Sequence, residues 1–122
     1  MSTHFDRAEY ERIFGPAGHA VLERIRAYSP RLVDHVYSYI AGNLYQDQTL
    51  DLRTRELCVI AVLAAQGGLP EQLAAHVTTA LRNGVKPAEI VAAIETVATY
   101  AGVPRALNAL FIPIPLFDSL AA

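Results

Sequence analysis

Nine consecutive apolar residues, Leu57 to Ala65, form the longest uninterrupted apolar run in the chain. They lie between Asp51, which is placed to cap a helix, and the breaker pair Gly67-Gly68. This predicts a helix from about Leu52 to Gln66. A helix with no polar face must be covered on all sides, either centrally or at a subunit interface. The run is too short to span a bilayer, which needs roughly 20 residues. The remaining elements must therefore be arranged around it.

The rest of the pattern is helical nearly everywhere, and strand-like alternation is absent, so the expected fold is all-α, a bundle of about six helices. The first 15 residues are polar and read as an N-terminal arm or short helix, followed by a short helix from His19 to Ala27. Ser29-Pro30 is a start signal, since Ser can cap and Pro suits the first helical position. Leu32, Val33, Val36, Tyr37 and Ile40 then share one face, and Gly42-Asn43 ends the helix. Beyond Gly67-Gly68, Pro70 and Glu71 open a helix with Leu73, Val77, Ala80 and Leu81 as its inner stripe, closed by a left-handed stop at Asn83-Gly84. Pro87 and Glu89 open the next, with Ile90, Val91, Ile94, Val97, Ala98 and Ala101 on one face. Lys86 stands at its N-cap, where Ser, Thr or Asp would serve better. Pro113 and Pro115 prevent a regular helix through residues 111–122, which read as an apolar tail that must pack on something, such as a neighbouring subunit.

A chain of 122 residues suits one domain, here residues 1–122. Apolar residues make up 52% and charged residues 18%, against about 25% charged in ordinary globular proteins. A chain this short has much surface, so the excess of apolar side chains points to a homo-oligomer. Lys and Arg (10) nearly balance Asp and Glu (12), and no basic run occurs, which argues against nucleic acid as a partner. Charged residues are spread through positions 1–30, unlike a signal peptide, so a cytoplasmic location with no membrane partner is expected. The single cysteine, Cys58, allows no internal disulfide and no CxxC pair, and reads as a small buried hydrophobe.

Two polar residues stand out in the hairpin formed by the helices on either side of Gly67-Gly68. Glu56 precedes the turn by 11 to 12 residues, and His76 follows it by 8 to 9. With antiparallel helices and a rise of about 1.5 Å per residue, their depths differ by only ~4–5 Å. They can meet directly or through one water. A carboxylate beside an imidazole fixes the tautomer and raises basicity, as a general acid/base requires. The alternatives stay open at this point: a histidine on an apolar face is often simply packed, and a first-turn glutamate favours the helix dipole with no further role.

Several segments carry a family resemblance: R-T-R-E-L at 53–57, the small apolar run to Ala65, A-H-V at 75–77, A-L-R-N-G-V at 80–85, A-E-I at 88–90 and Y-A-G-V-P at 100–104, with the looser G-N-L-Y at 42–45. In this order and spacing, over roughly residues 28–112, the chain resembles the carboxymuconolactone decarboxylase family, relatives of the alkylhydroperoxidase D-type proteins. The resemblance implies an all-α fold assembling into trimers or hexamers. The peroxidase branch uses a CxxC pair before the helical histidine. The corresponding positions here, four and seven before His76, hold Gln72 and Leu69, so thiol peroxidase chemistry is disfavoured. The cysteine-free branch implies a carboxy-lyase that converts 4-carboxymuconolactone without metal or organic cofactor. His76 then matches the family histidine as proton donor, and Glu56 the glutamate that orients it.

An anionic substrate also wants a cation. Arg53, Arg55, Arg82 and Arg105 are the candidates, with Arg53 and Arg55 favoured for their proximity to Glu56. Asn83 and Tyr100 are candidates to line the pocket, against plainer roles as helix stop and packing ring. The double-proline tail departs from the family's helical ending and leaves the substrate open. The competing readings are a family member with another small-molecule substrate, and a non-enzymatic binding module in which His76 is only packed.

Overall fold

The computed structural model describes residues 7–121. It is all-α: α1 (Arg7–Ile25), α2 (Pro30–His35) continued by a π-helical turn (Val36–Ala41) and a 3-10 turn (Leu44–Gln46), then α3 (Leu52–Gln66), α4 (Pro70–Arg82), α5 (Pro87–Ala101), α6 (Val103–Leu110) and α7 (Ile114–Ala121). No helix among the described residues is long and apolar enough to cross a membrane. Internal contacts divide the chain after Asp51 into two units, each with its own apolar core.

In the first unit, α1 is two helical segments joined at a kink, so the short-helix alternative holds for the described part of the N-terminal stretch, and the second segment starts at Pro16, earlier than His19. Residues 1–6 of the arm lie outside the described residues. Gly15 takes a left-handed φ of 82° and Pro16 restarts the helix, where its missing N–H costs nothing. Ser29 occupies the N-cap of α2 without a capping hydrogen bond from its side chain, so Pro30 alone marks that start. The buried stripe is Val33, Tyr37 and Ala41, narrower than the periodicity suggested, and Leu32 is exposed. The Tyr37 hydroxyl donates to Glu23 Oε2 at 2.6 Å, and Arg26 bridges Glu23 and Asp34.

The second unit is built on α3, which packs against α4, α5 and α6. Its core is formed by Ile60, Ala64, Leu73, Val77, Ala80, Val85, Ile90, Ile94 and Val97, with Ala106 and Ala109 from α6. Burying one such Ile or Val side chain contributes about 1.5–3 kcal/mol relative to leaving it in water. The turns follow the glycines. Gly67 and Gly68 both have φ of 73°. At the end of α4, Gly84 N–H donates to Leu81 O and Val85 N–H to Ala80 O, a Schellman closure with Gly84 at φ 91°. The left-handed residue is thus Gly84 alone; Asn83 stays at φ −101°. At α5, Lys86 occupies the N-cap and its backbone N–H donates to the Glu89 carboxylate at 2.9 Å, so Glu89 supplies the cap that the Lys86 side chain lacks.

The apolar run of α3 is not covered on all sides within the single chain: Val62 is 61% exposed and Cys58 is exposed, so a central position does not supply all of the expected cover. Cys58 is therefore not a buried hydrophobe. Both lie on the face opposite Ile60 and Ala64, which other helices of the unit do not reach. The tail is also not irregular. The chain turns at Phe111–Pro113, Pro113 is fully buried, and α7 starts at Ile114 with Pro115 in its first turn, where a proline is tolerated. Leu116 and Phe117 pack back on the core of this same unit.

Candidate acid/base site

Glu56 lies in the second turn of α3 and His76 in the middle of α4. The α3–α4 hairpin brings them together, as the small difference in their depths from Gly67-Gly68 suggests. His76 Nδ1 is 3.0 Å from Glu56 Oε2 and 3.3 Å from Oε1. The two side chains differ sharply in exposure: Glu56 is 0% exposed and His76 24%. An ionised carboxylate can be buried only where hydrogen bonds replace its water. With Glu56 as the carboxylate it accepts from Nδ1–H, which leaves the lone pair on Nε2. The ring as a whole keeps access to solvent.

Two of the candidate arginines, Arg53 and Arg105, are held elsewhere. Arg53 Nη2 is 2.6 Å from Glu89 Oε1, and Arg53 Nε donates to Gly84 O at 3.4 Å. This clamp ties the start of α3 to the α4–α5 turn. The Lys86 N–H, and after it the Arg53 guanidinium, hold the Glu89 carboxyl below its ordinary value. Arg55, beside Glu56 in sequence, is buried. Asn83 donates from Nδ2 to Thr79 O at 2.8 Å and serves the end of α4. Tyr100 is 91% exposed near the end of α5. Of the side chains that sequence reasoning grouped as one pocket, Arg53, Asn83 and Tyr100 thus fall at different places in the unit, while Glu56 and His76 are in contact.

A cavity of about 310 Å³ lies at the other end of the hairpin, between the Gly67-Gly68 turn and α6. Leu63, Leu69, Leu73 and Ile112 give it an apolar wall, and Arg105 and Asn108 its polar side chains. Arg105 Nη1 donates to Gln66 O at 2.7 Å, the last carbonyl of α3. Arg105 stood among the candidate cations but was not preferred, and Asn108 was not singled out. No short-range pattern links either residue to a turn some forty positions earlier. Among the described residues no group of three or more His, Cys, Asp or Glu side chains is arranged to hold a metal ion.

The profile of the Carboxymuconolactone decarboxylase family matches residues 30–113, from the start of α2 to the turn before α7. The chain belongs to this family. No match was found among curated proteins. Family membership agrees with the all-α architecture, and the matched region contains both Glu56 and His76. It also contains Leu69 and Gln72, so within this family the chain has no thiol pair ahead of its helical histidine.

Proposed function

We propose that the protein is a carboxy-lyase of the carboxymuconolactone decarboxylase type, acting on 4-carboxymuconolactone or a related small carboxylated lactone, with His76 as the proton-transfer group. The observation that carries this reading is the accessible His76 ring held at 3.0 Å by a fully buried Glu56 carboxylate. When the C–CO2 bond breaks, its electron pair passes into the conjugated lactone as a dienolate. The Nε2–H of the imidazolium delivers a proton to the carbon that becomes saturated, and solvent returns a proton to the ring. Glu56 is a positioning residue: it holds Nδ1–H, aims Nε2 outward and stabilises the imidazolium.

The decisive experiment measures CO2 release from 4-carboxymuconolactone by the wild type and by His76→Gln, which keeps an amide donor facing Glu56 but cannot shuttle a proton. A loss of about 10²–10⁴-fold in kcat/KM, as general acid/base groups typically contribute, is expected with the fold unchanged by circular dichroism. Equal rates would remove His76 from the mechanism.

We also propose a homo-oligomer, trimer or hexamer. Support comes from large apolar side chains exposed on the single chain: Val62, Val103, Leu107 and Phe111, with Tyr100 beside them in sequence. Large apolar side chains left in water in this number are the kind of surface that an interaction face covers. Light scattering should give a species larger than a dimer. Cys58, one turn from Val62 on the exposed face of α3, should be alkylated more slowly at concentrations that favour assembly than on dilution. A monomer at micromolar concentration would defeat the proposal.

A further inference from the structure

The cavity at the Gly67-Gly68 end of the hairpin plays no part in the acid/base reading, and its construction points to a ligand of its own. Its body is apolar, from Leu63, Leu69, Leu73 and Ile112, and its polar side chains are Arg105 and Asn108. A guanidinium carries five N–H donors. Among the described residues the hydrogen bond from Arg105 to Gln66 O is the one it makes, and Asn108 makes none. Arg105 is exposed, and its guanidinium lies against the turn: a Cβ on Gly67 would lie 2.7 Å from Arg105 Nη1, a contact the flexible side chain could relieve by moving. The left-handed φ of 73° at Gly67 favours glycine there, and its bare Cα leaves the guanidinium room.

Such a wall recognises a planar anion. Free guanidinium N–H groups pair with the two oxygens of a carboxylate, and the amide of Asn108 can add a third contact. The volume sits at the low end of ligand pockets, which suits a single ring or a short branched chain. A multiply charged anion fits less well, because one guanidinium supplies one positive charge and Glu71 in the first turn of α4 brings a negative charge to the same helix end. Glu56 and His76 are not on the lining. Ile60 on α3 and Leu73 on α4, both buried, stand one helical turn nearer the cavity than the pair.

We propose that this cavity binds a small monocarboxylic acid, its carboxylate on Arg105 and Asn108 and its apolar body against Leu63, Leu69, Leu73 and Ile112. The site is separate from the Glu56–His76 pair and stands whether or not the chain is a decarboxylase. Benzoate is the probe, with benzamide as its neutral isostere and inorganic phosphate as the multiply charged anion. Titrations of the full chain, followed by calorimetry and by amide resonances, should show saturable benzoate binding that shifts Gly67, Gly68 and the Arg105 side chain. Benzamide and phosphate should each bind at least about tenfold more weakly, the scale of one charge-assisted contact.

Arg105→Gln should weaken benzoate by about the same tenfold factor and leave benzamide unchanged. His76→Gln should leave benzoate affinity unchanged, which separates this site from the acid/base pair. If Arg105→Gln fails to fold for want of its contact to Gln66, the wild-type benzoate–benzamide ratio and shift map decide alone. Equal affinity for benzoate and benzamide, tighter phosphate binding, shifts centred on His76, or no saturation by about 10 mM, a Kd too weak for a built site, would each overturn the proposal.

Discussion

Two carboxylates in this molecule each hold the proton of a ring, and they do so in opposite senses. In the first unit the ring is buried: Tyr37 is 0% exposed and donates at 2.6 Å to Glu23, which is open to solvent and shared with Arg26. In the second unit the acid is buried: Glu56 is fully enclosed and the His76 ring reaches water. Burial, and then Glu23, push the Tyr37 hydroxyl well above its usual range, so that proton stays in place. The arrangement fastens α1 to the helix that follows. In the hairpin the group that can change its protonation is the one solvent reaches. A similar hydrogen bond is thus structural in one place and suited to chemistry in the other, and which partner is buried separates the two.

The strongest way to break this contrast is to disable each acid's partner and read activity and stability side by side. Glu56→Gln keeps the shape of the side chain but removes the charge that orients His76. It should lower kcat/KM by at least about tenfold, within the range of general acid/base effects. Unfolding by urea should show a cost of about 1–3 kcal/mol for a buried polar group whose pairing is altered. A full-rate Glu56→Gln enzyme would make the hairpin pair as structural as Tyr37–Glu23.

The converse variant, Tyr37→Phe, deletes a buried donor while Glu23 keeps Arg26. It should cost about 1–2 kcal/mol in the same unfolding measurement and leave turnover unchanged. A loss of turnover would show that the two pairs are not divided as described.

Acid sharpens the comparison further. Donation from Tyr37, and then from Arg26, lowers the Glu23 carboxyl; donation from the Lys86 N–H, and then Arg53, lowers Glu89. A carboxyl depressed in the folded state contributes stability that is complete above its ordinary value of 4.5 and is lost as pH falls through the lower folded value. The urea midpoint should therefore hold steady down to pH 5, in respect of these two groups, and fall below 4.5. Glu23→Gln and Glu89→Gln should each flatten that fall, with a small effect because both carboxylates are largely solvated. An acid limb unchanged in both variants would assign it to other groups.

The smallest effect belongs to Cys58→Ser. The thiol is exposed on the single chain, so a change within about 0.5 kcal/mol and unaltered turnover are expected by unfolding and rate assays. Loss of activity would revive a thiol mechanism despite Leu69 and Gln72.

Much of the site was legible because it rests on local rules. The bounds of α3 follow from Asp51 and Gly67-Gly68, and those of α4 from Pro70 and Asn83-Gly84, so the depths of Glu56 and His76 could be counted in residues. The first unit was harder to read. The stop at Gly15 between two helical segments was not singled out in the sequence, and Pro16 opens the second segment at once because proline is at home in a first turn. The same property of Pro115 allows α7. The exposure of Cys58 and Val62 on the single chain could not be derived from composition, because an apolar run says that cover is needed and not which neighbours supply it.

The amino-acid sequence by itself determined α3, α4 and α5, the turns between them, and that Glu56 and His76 could meet, because each depends on residues a few positions apart or on counting back from one glycine turn. The tertiary structure alone decided where the arginines went. Arg53 was drawn to Glu89 and Gly84, and Arg105 to Gln66 across the Gly67 surface. It also decided that His76, and not Glu56, faces water. These outcomes depend on which carbonyls and carboxylates distant parts of the chain leave within reach, and on which atoms the surrounding helices seal from solvent; residue spacing encodes neither.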